Sequence, residues 1–210
     1  MKMHWIAVPI LTMSLCGPSA AQDNVSELFK TKETCVATPV TELEKQSNAG
    51  DVSASQVLGL IHFGDRYDER PHRSSEPYFK KGADQHYPPS LYWYWMSLTV
   101  EGKDNERHFP LLLEAAQRGY IRAQLDLIVN YASPKSRHHN RVAAYAWLTI
   151  CKELDASCRD YTDEQWLPNL TEREKEAGNL LRQQIIEKRK SYPEFVDYRN
   201  CGREYWSEQK

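Results

Sequence analysis

Small residues at Ala54, Ser90 and Ala123 each open a stretch of apolar side chains at helical spacing, and polar, loop-like segments separate the stretches. Between them lie segments ending in Tyr78-Phe79-Lys80-Lys81-Gly82-Ala83 and Leu111-Leu112-Leu113-Glu114-Ala115-Ala116, and Ala144-Tyr145-Ala146-Trp147-Leu148 follows at a similar distance. Each unit therefore reads as a helix, a loop and a second helix. The pattern is an internal repeat. Ala83-Asp84-Gln85-His86-Tyr87 aligns with Ala116-Gln117-Arg118-Gly119-Tyr120 at an offset of 33, and Ser47-Asn48-Ala49-Gly50 aligns with the former at an offset of 36. One helix pair cannot bury its own apolar stripe, so such units must stack, and a small residue near the start of each first helix lets the neighbouring backbone approach.

These residues resemble the Sel1-like repeat family. Its plan runs small residue, Leu-Gly, aromatic, a loop with Gly and Asp, then Lys-Ala, Trp-Tyr and Lys-Ala-Ala. The matching segments are residues 54–64 with Leu58-Gly59, residues 104–119 with Glu114-Ala115-Ala116 and Gly119, and Ala144 to Leu148 with Trp147, so the likeness spans residues 47–152. The resemblance implies an all-α, right-handed α/α solenoid of about three helix pairs with a capping helix at each end. Two departures stand out. Trp95 and Ile128 occupy the repeat position of Gly59, and the 64–75 loop lacks the second family glycine, which predicts helices that pack farther apart or tilt there.

The flanks read as caps. Thr38-Pro39 looks like an N-cap followed by proline at the first helical position, leading a helix through Val40, Leu43 and Glu44. Thr171-Glu172-Arg173-Glu174 is a capping-box sequence, and Ala177, Leu180, Leu181, Ile185 and Ile186 predict one apolar face laid over the last repeat. Residues 22–46 and 153–210 are thus the N- and C-terminal capping segments. The tail beyond Ser191, with Tyr192, Phe195, Tyr198, Tyr205 and Trp206, is too aromatic to hang free.

Residues 1–21 read as a secretory signal, with Lys2, an apolar run from Trp5 to Cys16, and Ser19-Ala20-Ala21 before Gln22. The expected location is periplasmic or secreted, with no membrane span after cleavage. Export changes the meaning of the cysteines. Cys35, Cys151, Cys158 and Cys201 remain, which allows two disulfides in three possible pairings. The short Cys151 to Cys158 spacing suits a staple across a tight connection. That leaves Cys35 with Cys201, a long loop worth about 4–5 kcal/mol.

Composition narrows the function. Lys and Arg number 27 against 29 Asp and Glu, without long runs of one sign, so the positive field that nucleic acid binding requires is missing. No Gly-x-Ser-x-Gly elbow, Ser-x-x-Lys motif, phosphate-cradling loop or His-Glu-x-x-His helix occurs. No catalytic residue, cofactor or metal is expected. His138-His139 are adjacent and diverge on any regular element, and with Lys135, Arg137 and Arg141 nearby they read as a solvated loop.

The remaining candidate is a surface. Tyr92, Trp93, Tyr94 and Trp95 point around more than half a helix, which predicts at least one exposed ring. The family plan places Val57, Trp93 and Asp126 on the concave face, making Trp93 an anchor for another protein or an extended peptide. The expected function is an exported interaction module or adaptor. The resemblance also allows an immunity protein that neutralises a secreted toxin, and, with less support from the residues, an envelope enzyme acting on cell-wall peptides.

Overall fold

The computed structural model describes residues 38–64, 74–103, 106–154 and 158–189. Its elements are helices: α1 (Val40–Asn48), α2 (Val52–Gly64), α3 (Glu76–Asp84), α4 (Pro88–Val100), α5 (Phe109–Gln117), α6 (Ile121–Ala132), α7 (Arg141–Leu154), α8 (Asp163–Trp166) and α9 (Glu172–Glu187). From α1 to α7 each helix packs on the next in sequence, α2 also touches α4, and α9 returns onto α7. The chain is an α/α solenoid. The pairs α2–α3, α4–α5 and α6–α7 lie between α1 and α9.

The tight reversals explain the repeat. Gly50 (φ +95°), His86 (φ +59°) and Gly119 (φ +93°) hold the same repeat position, and all three are left-handed. That conformation lets the next amide turn back onto the helix just completed. Asp51, Tyr87 and Tyr120 each donate a backbone N–H to the carbonyl five residues earlier, on Gln46, Gly82 and Ala115, at 3.0 Å. The helices that follow start in different ways. Asp51 Oδ1 accepts from the N–H groups of Ser53 (2.8 Å) and Ala54 (2.9 Å), whereas Pro88 and Pro89 fill the first turn of α4, where no N–H partner is needed.

Burial follows the repeat as well. Ala54, Ser90 and Ala123 are all buried, as are Leu43, Phe79, Leu112 and Ala144 at one position of the alternate helices. Ser90 uses its hydroxyl to bind Gln56 Oε1 at 2.6 Å, linking two successive units through a buried bond. Gly59 receives the ring of Phe79. Where Gly59 gives way to Trp95 and then Ile128, the residue at the repeat position of Phe79 shrinks to Leu112 and then Ala144. Volume is traded across the pair, which is how a close-packed interior tolerates large substitutions.

At the C-terminal end, Gly178 lets α9 approach α7; a Cβ there would lie 2.6 Å from Tyr145 and 3.2 Å from the Val142 carbonyl. Arg141 Nε binds Glu174 Oε1 at 2.8 Å and Lys152 binds Asp163 at 2.9 Å, and Arg182 pairs with Glu153. Cys151 and Cys158 form a disulfide, Cα atoms 5.6 Å apart, that ties α7 to the connection before α8. Replacing both by serine is expected to lower stability by about 2.5 kcal/mol, the chain-entropy value for so short a loop. Urea unfolding of the two proteins measures it.

The capping box at Thr171 is present. The Thr171 N–H and hydroxyl both donate to Glu174 Oε2 at 2.8 Å, and Thr171 Oγ1 accepts from the Glu174 N–H at 3.2 Å. These bonds, with Arg141 beside them, hold the Glu174 carboxyl at about 2, below its ordinary 4.5. A depressed carboxylate stabilises the fold above the unfolded value and ceases to do so as pH falls through the folded one. Protection of the first turn of α9 against amide exchange is therefore expected to fall between about pH 4.5 and pH 2. Glu174→Gln should remove that dependence.

Three expectations need correction. Pro39 is itself the residue before α1, which begins at Val40, so Thr38 lies one position too far out to be the N-cap. Leu180 and Ile186 do not join the buried face of α9; Leu180 is 62% exposed, because the helix turns Gly178 toward α7, with Ile185 packed on the core. None of the four consecutive aromatics on α4 is exposed, since neighbouring helices on both sides enclose that helix and leave only Tyr94 half-buried. A second capping box, Thr162 with Gln165, starts α8, and its Thr-x-x-Gln pattern is legible in the sequence. The signal segment 1–21, residues 22–37, the Cys35 to Cys201 pairing and the aromatic tail lie outside the described residues. No described helix is long and apolar enough to cross a membrane.

Candidate partner-binding surface

Each first helix carries one register of residues, Val57 on α2, Trp93 on α4 and Asp126 on α6, and the three meet very different surroundings. Val57 is 0% exposed because α2, apolar on nearly every side, is packed against α1, α3 and α4. Trp93 is 8% exposed. Its indole stacks on Phe79 (6.1 Å between ring centres, 20° between planes) and meets the edge of Phe63 at 5.3 Å. These two expected concave-face residues therefore belong to the interior. Their ring and branch volume fills space between successive helices, and a partner meets neither on an open face.

Asp126 is half-buried and reachable. The Tyr92 hydroxyl donates to its carboxylate, and Arg122 lies close to both. The Arg122 guanidinium also sits 5.8 Å from the centre of the Trp93 ring, a cation–π distance. Burial pushes the Asp126 carboxyl above its usual value, against the opposing pull of the Tyr92 bond and of Arg122. Tyr92 is raised too, by burial first and then by the Asp126 charge. The result is a polar lid, Tyr92–Asp126–Arg122, closed over an aromatic core.

Accessibility increases along the stack. Leu60 on α2 is buried, Met96 on α4 is half-buried, and Val129, the equivalent on α6, is 44% exposed. Arg122, Leu125, Asp126 and Val129 thus form the stripe of a first helix that is open to a partner. Sequence periodicity placed Trp93 and Asp126 in one register, and they are neighbours through Arg122. It did not reveal Arg122, whose role depends on reaching from α6 back to α4. His138 is half-buried with its ring flat on Phe109 (3.7 Å, 13°), while His139 is exposed, so the two histidines do diverge.

A stack of helix pairs, with one partly open helical stripe and polar groups arranged above an aromatic interior, defines an α/α-repeat fold. A solved structure, described as a protective antigen present in uropathogenic Escherichia coli strains displaying an SLR fold, is similar to this chain, with a TM-score of 0.58 and 23% identity. The similarity covers 86% of this chain and 36% of that one, so the chain spans about a third of that protein's length. No family model and no curated protein matches the chain.

Proposed function

We propose that the chain is an exported protein-interaction module acting in the periplasm or outside the cell, where it binds another protein or an extended peptide. The observation that carries this reading is the solenoid itself, similar over most of the chain to an SLR-fold protein. Helical solenoids present extended surfaces on a rigid frame, and their function lies in what that surface meets. The Cys151–Cys158 disulfide supports an oxidising compartment. The open stripe of α6, with Asp126 at its centre, supports a contact surface on the last repeat.

The test is capture of partners by the tagged, exported protein, cross-linked in the envelope extract of its own host and identified by mass spectrometry. One dominant protein is expected, with recovery reduced at least about fivefold by Asp126→Asn at unchanged melting temperature. That variant keeps an acceptor for Tyr92 while removing the charge. A toxin among the captured proteins would make the chain an immunity partner. Recovery of nothing above background would overturn the reading and redirect the search to envelope glycans and cell-wall peptides.

A further inference from the structure

Beside the open end of the α6 stripe, a cavity of about 370 Å³ lies against the loop between α6 and α7. Trp95 of α4, Phe109 of α5 and Val129 of α6 supply its apolar lining. Asn130 of α6 and the loop between α6 and α7, with Lys135 and Arg137, supply the rest. This is the basic segment that the sequence shows only as a solvated loop. It is in fact tied down: Ser136 N–H donates to the Ser133 carbonyl at 3.0 Å, His139 N–H to the Ser136 carbonyl at 3.1 Å, and Asn140 N–H to the Tyr131 carbonyl at 2.8 Å. His138, stacked on Phe109, fixes the loop against the cavity wall.

The charges are one-sided. Among the described residues, no Asp or Glu lines the cavity, and neither Lys135 nor Arg137 has a carboxylate partner. Some cations elsewhere are matched, as in Arg118 with Glu114, Arg141 with Glu174 and Lys152 with Asp163, but none of those pairs faces this cavity. The Trp95 indole N–H is likewise buried without an acceptor. Among the described residues the site therefore holds an aromatic floor and two cations without a balancing anion. A ligand that satisfies it brings a carboxylate and an apolar group together, in a volume suited to one or two side chains.

We propose that this cavity receives an acidic segment of a partner polypeptide, an Asp or Glu side chain meeting Lys135 and Arg137 while the adjoining apolar side chain rests on Trp95, Phe109 and Val129. The assignment rests on the interaction-module reading and gives that reading its partner chemistry. Arg is the better of the two cations for holding a carboxylate, because its planar fork matches two oxygens. The apolar contact supplies affinity that an exposed ion pair alone does not.

The probe is an array of randomised hexapeptides, in one set amidated at the C-terminus and in another with a free C-terminal carboxylate, incubated with the full-length exported protein. Amidated peptides with Asp or Glu next to an aromatic or aliphatic residue are expected to be enriched. The best of them, labelled with fluorescein, should lose about tenfold in affinity when its acid is changed to the amide. A similar loss is expected on Lys135→Glu with Arg137→Glu, and separately on Val129→Glu. Both changes fall on exposed side chains, so the fold persists, and a melting curve checks it.

Absence of acid enrichment, or an acid preference that survives the double reversal, would overturn the proposal. Enrichment confined to free C-termini would overturn the side-chain assignment. Partner capture unaffected by the double reversal would overturn the cavity and leave the interaction module standing. Failure of capture with every variant would remove the reading beneath it.

Discussion

Trp93→Ala is expected to lower the unfolding free energy by about 3–5 kcal/mol, the cost of emptying a large aromatic site in a core that relaxes only in part. Its ring is held on several sides at once. Phe79 stacks on it, Phe63 and Tyr92 meet it edge-on at 5.3 and 5.4 Å, and the Arg122 guanidinium lies 5.8 Å from its centre. Urea unfolding midpoints, with the denaturant slope unchanged, measure the loss. A change below about 1 kcal/mol would mean that the ring stands on an open face after all. The expected result also bears on binding experiments: failure of a Trp93→Ala protein to capture a partner would report a weakened core as readily as a lost contact, so the contact surface is tested at Asp126 and Val129 instead.

Gly59→Ala sets two effects of opposite sign against each other. In an open helix alanine gains about 1 kcal/mol over glycine. Here the added Cβ would overlap the ring of Phe79, which is fully buried and cannot swing aside because Trp93 and Phe63 pack against it. Overpacking should win, with a net loss of about 3 kcal/mol and a lowered melting temperature. Combining Gly59→Ala with Phe79→Leu, which imitates the leucine at Leu112 of the next repeat, should recover more than half of that loss. The double-mutant cycle reads the coupling directly. A rise in melting temperature for Gly59→Ala alone would contradict the close approach of α2 and α3.

Much of this architecture could be read from one sequence because it rests on local rules repeated at fixed intervals. Gly50, His86 and Gly119 align in the repeat, and the structure shows that all three are tight reversals in the left-handed conformation. His86 pairs through Nδ1 with Glu114 at 2.9 Å, but a side chain at that φ is less comfortable than glycine, and only the repeat register shows why it sits there. Prolines at the starts of α4 and α5 and the Thr171 capping box likewise announced their helices. The cavity was less legible. Lys135, Arg137 and His138 were visible as a basic loop, but Trp95 and Phe109 come from other helices, and nothing in their spacing brings them to that loop.

Sequence alone indicated most of the helices, the repeat that forces them to stack, and a Cys151 to Cys158 staple as one of the possible pairings. These depend on backbone preferences and on periods of a few residues, which each segment carries by itself. Tertiary structure alone decided which side chains remain open. Val57, Trp93 and Asp126 share one register, yet two are interior and one is accessible, because exposure depends on how many neighbouring helices close around a position. It also decided that Arg122 reaches back over Trp93 and that two loop cations meet an aromatic floor, since such contacts join residues whose separation along the chain says nothing of their distance in space.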